Sequence, residues 1–176
     1  MKSFLLIIAL AVLALLPTQA AVYAMPPPSS AACNITCTVT DIAEWSHESF
    51  PSIQLDQLTP KNNQTSGSSS LGLYANGDVE ITADHSDAAQ LSKNSFSKLT
   101  TEYKLQSDNL KENQSGTDLA DWSNFDSFLG NGTTITHIPG SGAVEIVLTV
   151  KAVNNSVSPA SPGLYQASQT LTVCWK

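Results

Sequence analysis

Along this chain apolar and polar residues alternate with a period of two, and the helical period barely occurs. From Ala143 to Val153, residues Val144, Ile146, Leu148, Val150 and Ala152 share one face, with Glu145 and Lys151 on the other. That pattern predicts a strand with one buried side. Phe96 to Leu105 reads the same way, with Leu99, Thr101, Tyr103 and Leu105 on its apolar face. Thr133 to Ile138 is a short strand stopped by Pro139-Gly140, and Tyr165 to Trp175 alternates almost to the last residue. Near the start, from Ala31, Cys33, Ile35, Cys37 and Val39 alternate with Asn34, Thr36, Thr38 and Thr40. Ile42 and Trp45 leave that register, so a bulge or break is expected near Asp41.

Turn chemistry separates these runs. Asn76-Gly77 lies between Leu71–Ala75 and Asp78–Ala83. Asn-Gly readily supplies the two positive φ angles of a type I′ turn, so the pair predicts a hairpin. Residues 60–70 and 106–121 are polar and read as loops. Trp122, Phe125, Phe128 and Leu129 stand at helical spacing and predict one helical turn capping the core. Seven or eight strands without a long helix predict an all-β fold: a single antiparallel β-sandwich, immunoglobulin-like.

The first 24 residues depart from this pattern. Lys2 precedes an unbroken apolar run, Phe4 to Leu16, and Val22-Tyr23-Ala24 offers small residues for cleavage, with Thr18-Gln19-Ala20 as a second position. This is the layout of a signal peptide. The expected organisation is a leader at 1–24, a stiff Pro-rich tail at 25–30 and a sandwich domain at 31–176. The mature protein is then secreted or held at the cell surface, passing through a periplasm if the source has an outer membrane, without inserting into a membrane.

Charge narrows the partners. Arginine is absent, and with Lys2 removed seven lysines face 15 carboxylates, a net charge of −8. Nucleic acid is not an expected partner, because binding it requires a basic stripe. Cys33, Cys37 and Cys174 are an odd number of cysteines for an oxidising compartment, so at most one bridge closes within the chain. Cys33 and Cys37 would stand ~13 Å apart in an extended segment, too far to pair without a turn. A link from this segment to Cys174 is expected, although alternation places Cys174 opposite Val173 and Trp175.

Catalytic chemistry is thinly represented. Asp84-His85-Ser86-Asp87 invites a triad or metal reading but reads more simply as a solvated loop, because no motif places a partner. His47 and His137 are isolated, Ser68-Ser69-Ser70 lacks the glycines of a nucleophile turn, and Asp118, Asp121 and Asp126 lack calcium-loop spacing. No enzyme activity, cofactor or metal is expected. Asn34, Asn63, Asn113, Asn131 and Asn154 begin Asn-x-Ser/Thr sequons, which matter if the source glycosylates exported proteins.

The C-terminal strand carries a resemblance. Gly163 is fourteenth from the end, Trp175 is a penultimate aromatic, and Tyr165, Ala167, Leu171, Val173 and Trp175 alternate. This resembles the closing strand of chaperone–usher subunits, and Gly-Leu-Tyr-Gln-Ala-Ser-Gln-Thr-Leu-Thr-Val is similar to the ending of the spore coat protein U group of pilins. The resemblance implies an incomplete immunoglobulin-like sandwich whose missing strand comes from a neighbour's N-terminal extension, here Ala31 to Thr40. This chain departs from those pilins in placing Cys33 and Cys37 inside the extension. The expected function is a structural subunit of a surface fibre, coat or matrix, bound to itself or to other surface proteins. The competing readings are a monomeric binding module, with glycan as partner and Trp122, Phe125 and Phe128 as platform, and, last, a secreted hydrolase.

Overall fold

The computed structural model describes residues 29–108, 117–136 and 143–176. The leader, most of the Pro-rich tail, Asn113, His137 and the Pro139-Gly140 stop lie outside them. The chain divides into two units, Met1–Thr38 and Val39–Lys176. Residues 29–38 of the first unit are exposed and contain no strand. The expected strand at Ala31 to Thr40 is therefore not formed, and the β unit begins at Val39. A lone extended segment has no ladder partner for its backbone, and alternation alone does not supply one.

Among the described residues the second unit has ten strands, more than expected: β1 (Ala43–Trp45), β2 (Gln64–Ala75), β3 (Val79–Ala83), β4 (Ser92–Asn94), β5 (Ser97–Lys98), β6 (Thr100–Asp108), β7 (Thr117–Asn124), β8 (Thr133–Ile135), β9 (Ala143–Val153) and β10 (Leu171–Trp175). All pairings are antiparallel. One sheet has the order β1-β2-β9-β6-β7, a second β10-β3-β8, and β4-β5 form a small ribbon. The fold is the expected antiparallel β-sandwich.

Its core comes from the alternation. In β9, Ile146, Leu148, Val150 and Ala152 are buried; in β6 and just before it, Leu99, Thr101, Tyr103 and Leu105 are buried. Register places Leu105 opposite Leu148 and Tyr103 opposite Val150. The second sheet contributes Val79 and Ile81. Phe128 and Leu129 fill the end of the sandwich. They sit on successive tight turns, with Phe128 N donating to Asn124 O at 2.9 Å and Gly130 N to Ser127 O at 3.1 Å. The capping role holds on a shorter span than expected: a single α-turn closes from Asn124 to Phe128 and is not continued into a helix. Trp122 still belongs to β7, and Leu129 adopts φ 53°, which ends any helical run.

Both expected loops contain strand. Gln64 to Ser70 pairs residue by residue with Val147 to Val153, so a complete ladder overrides weak serine and glycine propensity. Gly67 has a specific reason: a Cβ there would lie 2.8 Å from Ile53 Cγ2 and 3.0 Å from Leu55 Cδ2. The glycine lets residues 46–58 lay Phe50, Ile53 and Leu55 against the core. Within 106–121, both ends are strand, in β6 and β7.

The expected Asn76-Gly77 hairpin is also corrected. β2 and β3 belong to different sheets, and neither Asn76 nor Gly77 has a positive φ. The turn instead carries the chain from one layer of the sandwich to the other.

Tyr103 gives the core a pH-sensitive point. Its hydroxyl donates to Ala89 O at 2.7 Å, and burial pushes its pKa up to about 12. Because the folded value lies above the unfolded value of about 10, the protein loses stability as pH rises from about 10 to 12. We expect the melting temperature to fall across that window and Tyr103→Phe to flatten the fall. An equal fall in both proteins would contradict this role.

Candidate assembly edge

The C-terminal strand follows directly from its residues. Leu171, Val173 and Trp175 pair with Ala83, Ile81 and Val79; Leu171 and Val173 pack against the core, Thr172 and Cys174 face outward, and Trp175 is exposed at the strand end. The strand is shorter than the expected Tyr165 to Trp175. Its first half runs outside the sheet, held by a bridge between Gln166 and Ser92 and by Ser168 N donating to Ala88 O. Trp175 closes the strand over Gly77, where a Cβ would come within 2.0 Å of its Cζ3 atom. That close approach, and not a hairpin, is what requires glycine at 77.

Asn76 fixes the start of the β unit. Its Nδ2 donates to Thr40 O at 2.8 Å, its Oδ1 accepts from Ile42 N at 2.9 Å, and its own amide donates to Ile42 O at 3.2 Å. One side chain thus moors the backbone just after Val39. Sequence reasoning credited Asn76 to turn formation and missed this role, because its partners lie 34 and 36 residues away.

Four strands end the two sheets, and they are not equivalent. β1 and β8 are three residues long, and β7 pairs with register shifts that break up its edge. β10 is five residues long, pairs in unbroken register with β3, and has no strand on its other side among the described residues. β1 approaches β10 but does not pair with it, so the outer edge of β10 keeps backbone donors and acceptors that make no ladder bonds among the described residues. Of the residues expected to supply that chain, Ile35 is 89% exposed and Val39 79% exposed. Isolated exposed apolar residues are ordinary, but here they recur at strand spacing.

The cysteines correct the expected bridge. Cys33, Cys37 and Cys174 are all exposed free thiols, and Cys174 Sγ lies 3.8 Å from Glu80 O. Strand parity gives the reason on the Cys174 side: its side chain points away from the core face shared by Val173 and Leu171.

The other candidates resolve into structural roles. His85 Nε2 lies 2.6 Å from Phe128 O; a carbonyl only accepts, so Nε2 carries the proton and pins the core-capping turn. Ser86 donates to Asp84 through both its hydroxyl, at 2.5 Å, and its amide, at 3.0 Å. These bonds hold the Asp84 carboxyl below the usual range. The three residues do not form a nucleophile–base–acid relay. Among the described residues His47 hydrogen-bonds with the Ser46 hydroxyl, at 3.2 Å. Phe128 is fully buried and Phe125 packs on the core, so the proposed aromatic platform is not assembled. Trp122 remains exposed at the β7 edge, with Lys151 Nζ 4.5 Å from its ring centroid and ion-paired to Glu102.

Compared with known proteins, the sequence matches no family model and no curated protein.

Proposed function

We propose that this protein is a non-enzymatic structural subunit of a surface fibre, coat or extracellular matrix, exported through its leader and assembled by β-strand addition. The observation that carries the reading is the open, regular edge of β10. The order β1-β2-β9-β6 parallels strands A-B-E-D of an immunoglobulin-like sandwich, and β10-β3 parallels F-C. In a complete domain strand G lies beside F, at the position left open beside β10. The Cys33 to Val39 segment of a second copy suits that place. It is long enough to cover five residues of edge, and Ile35 and Val39 share one face. Main-chain hydrogen bonds would supply strength, and the two apolar side chains would fill space between the sheets.

Sedimentation velocity of the purified mature protein tests the reading. We expect mass to grow with concentration into open-ended species, as head-to-tail contacts that do not close produce. A single monomer boundary at high concentration would refute assembly.

A further inference from the structure

The outer face of the larger sheet is hollow where β2 carries small residues. At Ser66, Ser68, Ser70 and Gly72 the outward positions have at most a hydroxymethyl group. Two depressions of about 520 and 660 Å³ result, and they adjoin at Ser70 and Glu145, which line both, giving a trough along β2. The first extends to Ser68 and Gln106; the second reaches His47 and Tyr74. Tyr74 is 46% exposed, and in the register its neighbours are Glu44 on β1 and the small Ala143 on β9. Its ring therefore stands open at one end of the trough.

We infer that this trough binds a linear, uncharged polysaccharide. Serine hydroxyls along its floor both donate and accept hydrogen bonds, which suits a ligand made of hydroxyl groups, and Pro51, Leu71 and Val144 add apolar contact toward the Tyr74 end. An aromatic ring with a polar tip offers an apolar face to the flat side of a sugar. Charge selects against the alternatives. Among the described lining residues there is no lysine, which phosphate or uronate would need, and Glu145 repels anions. From Ser68 to Tyr74 the strand runs ~20 Å, so the trough spans several sugar rings rather than one. The site is remote in kind from the β10 edge, and the inference does not depend on assembly.

Isothermal titration of the full mature chain with amylose, xylan, mannan and hydroxyethyl cellulose tests this, with polygalacturonate as the anionic control. We expect binding to at least one neutral polymer, weakened tenfold or more by Tyr74→Ala and by Ser70→Trp, which fills the trough. Tyr74→Phe retains binding, as does Phe96→Ser at an exposed residue away from the trough. Circular dichroism confirms that each variant is folded. The inference is overturned if no neutral polymer binds, if polygalacturonate binds equally well, or if both disruptive variants bind like the wild type. It is also overturned if Ser70→Trp leaves binding intact but stops self-association, which would make this face a contact between copies.

Discussion

Replacing Ile35 and Val39 together with aspartate abolishes assembly and leaves a soluble β-sandwich. Burying an aliphatic side chain of this size contributes about 1.5–3 kcal/mol. Losing two such anchors costs about 3–6 kcal/mol, a hundredfold to ten-thousandfold in affinity at 1.4 kcal/mol per decade. Each aspartate would also carry an unpaired charge into an apolar space, which adds to the loss. The substituted positions are exposed, so the β unit itself keeps its core. Sedimentation should show a monomer with the wild-type β spectrum. A double variant that assembles like the wild type would mean that these side chains do not enter a neighbour.

The second large effect lies in the core. Phe128 is fully buried, with its ring centroid 5.4 Å from that of Tyr103, and its carbonyl is held by His85. Phe128→Ala should cost about 3–5 kcal/mol, combining lost burial with the cavity left behind. For a domain of this size that lowers the melting temperature by about 10 °C. The neighbouring turns increase the effect, because Leu129 at φ 53° is kept in place by packing that the cavity would loosen. A loss below about 1 kcal/mol in a thermal melt would show that Phe128 does not plug the sandwich.

Sequence reasoning succeeded where one face of a strand is buried and failed where tertiary partners decide. β9 was legible to the residue, from Ala143 to Val153, because its alternation reports burial directly. The burial of Leu99, Thr101, Tyr103 and Leu105 was legible for the same reason. Ser66 to Ser70 gave no such signal, since the ladder to β9 is made by backbone atoms and is blind to side-chain type. Asn76-Gly77 shows a different failure. The turn is real, but Asn76 acts there as a side-chain clamp to Thr40 and Ile42 and Gly77 as clearance beneath Trp175. Both depend on residues distant in sequence.

The proposed assembly edge was half legible. The alternation of Leu171, Val173 and Trp175 was readable, and so was the outward parity of Cys174. That β10 lies at the margin of its sheet was not, because strand order is set by which pairs form across the whole chain. Sequence also could not distinguish a strand within its own fold from one awaiting a partner. Cys33 to Val39 has the pattern of the first, yet forms no strand in the single chain.

Amide hydrogen exchange, compared between dilute and concentrated mature protein, tests strand addition most directly. The account predicts that residues 33–39 and β10 gain protection together on assembly, while β9, already paired on both sides, changes little. Assembly with both segments still exchanging freely, or residues 33–39 already protected in the dilute monomer, would contradict it.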